Sequence, residues 1–373
     1  MSLHELSDEQ RDIRALAARF ADEVVAPKAT EWDREHRFPK EVITQLGELG
    51  LMGVCIPTEL GGAGADFLTY VLVLEQLSRG DAGLGVTLAV HTGAGTMPII
   101  DHGSRQQIER LVPPLAQGHE IAAFALTEPG AGSDAGALLT RAQGDRITGS
   151  KQWVTNGSHA HVFIVFAKDP DKPSAFIVRR GAPGFRPVRE EEKLGLNSSS
   201  TTDMTLDETP GERLGWRGHG LRIALSTLDG GRIGIAAQAV GISQAALDLA
   251  VAYAKERVTF GKPIGAHQAI QQKLADMQTE IEAARALTWR AARLKTAGRA
   301  HTVEGAQAKL FASSVARRVT GDAIQVLGGV GYTKQTAAER YYRDAKVTEI
   351  YEGTSEIQRL VIARALLGKI ARD

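Results

Sequence analysis

With a single cysteine, Cys55, the 373-residue chain can form no internal disulfide and can build no cysteine-based zinc site or iron–sulfur cluster. Nor is there an excess of either charge: 44 Lys plus Arg balance 44 Asp plus Glu, for a formal net charge of zero. With no global field to draw in a polyanion, a general nucleic-acid binder is disfavoured. Long hydrophobic runs are missing as well, and the most apolar stretches, such as Val162 to Ala167, are far too short to span a bilayer. The N-terminus, MSLHELSDEQRDIRALAARF, lacks the cationic start, apolar core and small-residue cleavage site of a secretory leader. No repeat, low-complexity tract or charge block interrupts the chain. Together these absences predict a soluble protein of a reducing compartment, with no metal, nucleic-acid or membrane partner.

What is present is the composition of a globular protein, 43% hydrophobic and 24% charged. The length exceeds one ordinary core and predicts two or three domains. Ser7 and Gln10 form a candidate capping box before Ile13, Leu16, Ala17, Phe20 and Val24, whose helical spacing is expected to stop at Pro27. Pro39 opens a second helix that Gly50 ends, and further helices are predicted at 67–78 and 104–116. Between them lies GDAGLGVTLAVHTGAGTMPII, whose small residues let helices, or equally a ligand chain, come close.

Near Ile121 the period changes. IAAFAL, DRITGSKQWVTN, HVFIVFA, SAFIVRR, GFRPVR and TTDMTL are short, rich in β-branched or aromatic residues and separated by turn signals. They predict an antiparallel barrel or sandwich rather than a dinucleotide-binding sheet. Helical periodicity returns at Leu221, most clearly in Leu274, Met277, Ile281, Ala284, Leu287, Ala291 and Leu294, and predicts a four-helix array with helices near 225–256, 302–327 and 355–368. The expected domains are 1–120 helical, 121–225 a middle β-barrel domain and 226–373 a C-terminal four-helix bundle: a mainly α fold around a β domain.

Five stretches could carry chemistry. Thr127-Glu128-Pro129-Gly130-Ala131-Gly132-Ser133-Asp134 follows a strand and could present N–H groups and hydroxyls to a phosphate, but its glycine spacing is wrong for a dinucleotide fingerprint. Trp153-Val154-Thr155 could face a flat heteroaromatic ring, although a Trp is more often core. Arg257, with Gln268 beyond it, could hold a pyrophosphate or simply cap a helix. Gln325-Val326-Leu327-Gly328-Gly329 reads as a helix stop with exposed backbone. In Tyr351-Glu352-Gly353-Thr354-Ser355-Glu356 a carboxylate stands just before a helix N-terminus; wedged among apolar groups it would have its pKa raised toward that of a base for a carbon acid, although an isolated Glu in a loop is more often merely solvated.

In this order and spacing the five stretches resemble the acyl-CoA dehydrogenase family through almost all of the chain. TEPGAGSDAG paired with IYEGTSEIQR is highly specific, and RIGIAAQAVGISQAALDLAV and LTWRAARL look closest to the short-chain, butyryl-CoA branch. The resemblance implies FAD as cofactor, a homotetramer (a dimer of dimers) and electron transfer to an electron-transferring flavoprotein. It implies that Glu352 takes the α-proton of an acyl-CoA while the β-hydrogen leaves as hydride to flavin N5, giving a trans-2-enoyl-CoA. The thioester oxygen would be bonded by the Glu352 N–H and a ribityl hydroxyl of the flavin.

Matched by position, Phe124, Ala125, Leu126, Thr127, Gly132, Ser133, Trp153, Val154, Thr155, Thr354, Ser355 and Glu356 are implied at FAD. Arg257, Gln268, Gln325, Val326, Leu327, Gly328 and Gly329 are implied at the FAD of a neighbouring subunit. Ser133, Asp229, Gly230, Gly231, Arg232, Tyr351 and Gly353 are implied at the acyl-CoA. Long-chain and isovaleryl-type relatives carry their base immediately before the arginine matched by Arg232; here that residue is Gly231, which agrees with the short- and medium-chain type.

The length leaves no room for the extra C-terminal domain of acyl-CoA oxidases, and the chain is expected in a bacterial cytoplasm, or in the mitochondrial matrix if processed. The alternatives are a branched short-chain dehydrogenase (isobutyryl- or 2-methylbutyryl-CoA) and a non-catalytic acyl-CoA-binding member. A glutaryl-CoA enzyme fits less well.

Overall fold

The computed structural model describes residues 5–368. The first four residues of the stretch inspected for a leader and the last five of the expected C-terminal domain lie outside the described residues. Helix α1 (Asp8–Phe20) opens on the expected capping box: Ser7 Oγ accepts from the Gln10 N–H at 3.1 Å and the Gln10 side chain accepts from the Ser7 N–H at 3.0 Å. The expected stop at Pro27 does not occur. A π-helical turn, Ala21–Val25, leads directly into α2 (Ala26–Glu35), where Pro27 stands in the first turn. At that position the missing N–H removes no helical bond and the fixed φ suits the helix. The chain turns away only at His36, in the left-handed region at φ 53°.

Helices α3 (Lys40–Glu48), α4 (Phe67–Gly80), α5 (Ala82–Leu88), α6 (Met97–His102) and α7 (Arg105–Ala116) complete the first third, with Gly50 left-handed after α3 and Ser104 capping α7. The glycine-studded stretch is packed rather than open. A Cβ on Gly85 would lie 2.0 Å from Ser78 Oγ, and one on Gly95 would lie 2.4 Å from Ala122 Cβ. His91, fully buried, bridges this stretch to its neighbours, its Nε2 meeting the Leu115 carbonyl at 3.1 Å and its Nδ1 accepting from the Ala122 N–H at 3.1 Å.

The middle region is a single eight-stranded sheet of β1 (Ala122–Ala125), β2 (Arg141–Gln143), β3 (Arg146–Thr155), β4 (Val162–Lys168), β5 (Pro173–Arg179), β6 (Phe185–Glu190), β7 (Thr201–Pro210) and β8 (Glu212–Leu214). Its order is β6-β7-β3-β2-β4-β5-β8, with β1 beside β4. The wholly antiparallel expectation needs one correction, since β1 and β2 both meet β4 in parallel. Parallel neighbours cannot be joined by a tight hairpin, and β1 reaches β4 from the helical layer instead. No crossover helix follows β1 among the described residues; only a 3₁₀ turn, Ala135–Ala137, intervenes before β2.

Helices α8 (Gly220–Glu256), α9 (Gln268–Thr296), α10 (Thr302–Leu327), α11 (Ala338–Val347) and α12 (Ser355–Leu367) form the last part, with a short hairpin of β9 (Val258–Thr259) and β10 (Lys262–Pro263) between α8 and α9. α8 starts at Gly220, ahead of the expected 225. By length and composition, α8 and the stretch 82–102 could each cross a bilayer, but 72% and 83% of their apolar windows are buried inside the protein, as in core helices. Arg285 of α9 ties the bundle to the first helical layer, donating to Glu75 of α4 and to Gln244 of α8, both at 2.9 Å.

The loop between β6 and β7 sutures the sheet to both helical layers. Its Leu196 N–H donates to Asp344 Oδ1 at 2.7 Å, its Ser198 hydroxyl to Asp81 Oδ1, and its Asn197 amide to Asp33 at 2.9 Å. Buried Arg340 lies between Asp81, at 3.8 Å, and Asp344. Burial pushes the Asp344 carboxyl up to about 7 against the pull of Arg340, and raises Asp81 in the same way.

A carboxyl held above its unfolded value stabilises the fold while protonated and loses that contribution as pH rises through its folded pKa. Replacing Arg340 with Met leaves two buried carboxylates without their cation and should cost about 3–5 kcal/mol. Because the carboxyls can stay protonated in mild acid, the loss in thermal midpoint should be smaller at pH 6 than at pH 8. An equal loss at both would show that Arg340 acts through packing alone.

Candidate active site

The seven residues that join α11 to α12 make a tight reversal. The Val347 carbonyl accepts from the N–H groups of Ile350 at 2.8 Å and Tyr351 at 3.2 Å, and the Ser355 N–H reaches back to the Glu349 carbonyl at 2.9 Å. At the apex Glu352 and Gly353 are both left-handed, φ 54° and 86°. Glycine adopts this freely, but for glutamate it is uncommon and must be held. Two buried side chains hold it. Gln358 of α12 donates to the carbonyls of Glu352 (3.2 Å) and Gly353 (2.7 Å), and Lys309 of α10 donates to the Gly353 carbonyl at 2.7 Å. Thr354 caps α12, accepting from the Ile357 N–H at 3.3 Å. Tyr351 donates its hydroxyl to Gln238 of α8, which in turn donates to the Ala82 carbonyl at 2.8 Å.

The turn thereby aims the Glu352 carboxylate at α8. A Cβ built on Gly231 would lie 2.4 Å from Glu352 Oε2, so any side chain there would collide with the carboxylate. Oε2 is buried without a hydrogen-bond partner, and the Glu352 backbone N–H has no acceptor among the described residues. Burial raises the carboxyl to about 7, while the cations Arg232 and Lys309 pull it down. The group can therefore exchange a proton near neutrality and has a free oxygen to do it with, as a general base requires. Beside it Arg232 is fixed by Asp229 at 2.6 Å, and Asp229 is fixed in turn by Thr302 at 2.6 Å. Gly230, next in line on α8, faces the Lys295 ammonium, 3.0 Å from its would-be Cβ.

The second part of the site is the loop after β1. Phe124 and Ala125 lie in the strand, the Leu126 carbonyl accepts from Lys151 at 3.0 Å and the Thr127 carbonyl from the Gln152 N–H at 2.9 Å. Glu128 turns inward to meet Lys151 at 2.7 Å and the N–H groups of Leu139 and Thr140. Lys151 is fully buried, which lowers its pKa to about 8 despite Glu128; Glu128 is itself raised by burial but ends below its usual range because of Lys151. This ion pair folds the loop outward, leaving Gly130 and Gly132 with nothing within 4 Å of a would-be Cβ and Ser133 exposed.

Trp153 is not a core residue. It stands at a register shift in β3–β7, left-handed at φ 59°, with 53% of its surface exposed. Such a bulge re-aims a side chain, and here it presents an indole face beside Thr155 while Val154 stays buried. Asn156, also left-handed, anchors the strand end by donating to the carbonyls of Thr87 (3.0 Å) and Ala122 (3.2 Å). The exposed ring, the open glycine loop and the unpartnered Glu352 oxygen suit a flat heteroaromatic cofactor with a phosphate tail.

The structure brings Tyr351, Glu352, Gly353, Thr354 and Ser355 together with Asp229, Gly230, Gly231 and Arg232; Glu356 follows, exposed, in the first turn of α12. It binds the Phe124–Ser133 segment to the Trp153 strand. Arg257, Gln268, Gln325, Gly328 and Gly329 are exposed and remote, with Val326 and Leu327 buried in α10. From Gly231, against which Glu352 lies, to Glu256 the rise of α8 alone is about 38 Å at 1.5 Å per residue, which separates Arg257 from Glu352.

Lys151, Lys309, Gln358 and Gln238 stand outside the residues expected from sequence. A signal existed for the two lysines: Lys151 follows Ile147 and Gly149 on one face of β3, and Lys309 lies on the buried stripe of Gly305, Ala308, Ala312 and Ala316.

Family models match along the chain: Acyl-CoA dehydrogenase, N-terminal domain, at residues 7–119; the middle domain at 123–209; and the C-terminal domain at 218–367. The short-chain specific acyl-CoA dehydrogenase, mitochondrial, of Bos taurus is 47% identical over 97% of this chain and 91% of its own length. The solved butyryl-CoA dehydrogenase of Megasphaera elsdenii superposes with a TM-score of 0.95 at 42% identity, over 97% of this chain and 99% of that one. A chain from a structural study of the electron transferring flavoprotein of Acidaminococcus fermentans gives 0.97 at 44% identity, covering 98% of this chain and all of that one. The chain belongs to the acyl-CoA dehydrogenase family.

Proposed function

We propose that this FAD-dependent oxidoreductase converts a short-chain acyl-CoA, with butyryl-CoA the first choice, to the trans-2-enoyl-CoA. The observation that carries the reading is the Glu352 carboxylate: buried, raised to about 7, with one oxygen free of any partner and aimed at a glycine. An acyl chain lying over Gly231 would place its α-carbon against that oxygen. Glu352 then takes the α-proton, and its unpaired backbone N–H is available to the thioester oxygen, where it would stabilise enolate character. Arg232, held in place by Asp229, lowers the charge cost of the ionised base.

FAD, when bound by Phe124–Thr127, Gly132, Ser133, Trp153–Thr155 and Thr354–Glu356, supplies the hydride acceptor at flavin N5. Arg257, Gln268 and Gln325–Gly329, so far from Glu352 in their own chain, are assigned to the FAD of a neighbouring subunit in a homotetramer. The electrons pass to an electron-transferring flavoprotein, a reading supported by the Acidaminococcus relative.

Glu352→Gln should lower the rate of anaerobic flavin bleaching by butyryl-CoA by between about 10²- and 10⁴-fold while product still binds. Bleaching at the wild-type rate would remove Glu352 from the chemistry, and loss of all ligand affinity would make it a structural residue. In wild type, kcat/KM should rise with pH through about 7 as the base ionises. Titration with acyl-CoAs of four to sixteen carbons and with isobutyryl-CoA sets the chain-length preference; a flavin that none of them bleaches would point to a non-catalytic acyl-CoA binder.

Lys151→Met should strand the Glu128 carboxylate, release the loop and yield protein purified with well under one FAD per chain. Full FAD content with wild-type affinity would show that the loop does not depend on this pair.

A further inference from the structure

Lys309 takes no part in the chemistry above, yet it is the one lysine of α10 buried on the apolar stripe that faces the site. We propose that Lys309 is a positioning residue: its ammonium clamps the Gly353 carbonyl and so holds Glu352 in the left-handed conformation that points its carboxylate at Gly231. The proposal deepens the reading of Glu352 as a base and rests on it.

Burying an ammonium is expensive, and an ion buried without a matched partner is a poor source of stability. Lys309 makes one hydrogen bond, to a neutral carbonyl at 2.7 Å, and no ion pair within 4 Å among the described residues. A methionine would fill the same stripe with no charge to bury. What the lysine adds is position and field. The Gly353 carbonyl it grips belongs to the residue after the base, and Gln358 grips the same carbonyl from the other side at 2.7 Å. Two donors from two helices fix the Gly353–Thr354 peptide plane, and Gln358 also holds the Glu352 carbonyl at 3.2 Å, which leaves the strained φ of Glu352 little freedom to relax.

The charges around the pair are few. Arg232 faces it from α8; Glu349, from the turn, is already engaged by Arg317 (3.3 Å) and Lys346 (2.7 Å); Glu356 of α12 is exposed; Tyr351 and, from α4, Tyr70 are the other titratable neighbours. Burial lowers Lys309 to about 8 while Glu352 pulls it back up. Removing its charge therefore takes away one of the two cations that pull Glu352 down, and the base pKa must rise.

The test uses the holoenzyme with Lys309→Met and Lys309→Gln. The Glu352 carboxyl is titrated by difference infrared spectroscopy, with Glu352→Gln as the blank, alongside flavin reduction and thermal unfolding. For Lys309→Met the expectation is a carboxyl midpoint raised by about one unit, flavin reduction slowed about 10²-fold as for a misplaced base, and an unfolding midpoint at or above wild type. Lys309→Gln, which keeps a donor without the charge, should recover part of the rate but not the midpoint. An unchanged carboxyl midpoint, or a slowed reaction that merely tracks a lower unfolding midpoint, would overturn the proposal. The infrared titration needs no substrate, so it decides the role of Lys309 even if no acyl-CoA reduces the wild-type flavin and the reaction assigned above fails.

Discussion

Much of this structure depends on one carboxylate kept out of water with an oxygen that nothing bonds. An isolated buried carboxylate would simply stay protonated. Here burial raises Glu352 while Arg232 and Lys309 pull it back, and the balance near 7 lets the group both accept and surrender a proton. A hydrogen bond to Oε2 would have lowered the pKa further and occupied the lone pair the chemistry needs. Empty space on α8 is therefore as important as any contact, and Gly231 supplies it.

Three of the seven non-glycine residues with positive φ among the described residues stand in or behind this site. Glu352 carries the proposed base, Trp153 presents its ring and Asn156 fixes the strand end behind that ring. Each is held by groups of neighbouring elements: Lys309 and Gln358 for Glu352, the β3–β7 register shift for Trp153, the Thr87 and Ala122 carbonyls for Asn156. The tightly packed stretch 82–102 acts as the strut between them. It meets β1 at Gly95 and Ala122, and its Ala89 carbonyl accepts from the Tyr70 hydroxyl, which lies 4.0 Å from a would-be Cβ on Gly234, one turn beyond Gly231. This explains why glycines there serve packing: a looser strut would let the ring face and the base drift apart.

Local signals in the sequence were legible where local physics decides. The Ser7–Gln10 box, the Gly50 stop, the strands after Ile121 and the long α9 stripe follow from capping, turn chemistry and period alone. Pro27 misled because a proline ends a helix only if its N–H was needed, and the π-turn before it removes that need. The outward Trp153 was expected only through the resemblance, since composition favours a core Trp and the bulge that turns it outward leaves no local signal. The proposed base Glu352 was picked out through motif and resemblance, but its environment was not legible, because Gly231, Lys309 and Gln358 come from three helices that no short-range pattern connects.

The two buried lysines show why charge alone says little about role. Lys151 meets a carboxylate directly, and the pair is a clasp whose two members neutralise each other and hold a loop. If Lys309 gripped Glu352 in the same way, the base would be acidified and its lone pair filled, and the site would be as inert as the Glu128 clasp. By bonding the carbonyl one residue further on, Lys309 lends its field to the carboxylate without capping it. The difference between a structural ion pair and a tuned base here is the displacement of one hydrogen bond by one residue along the chain.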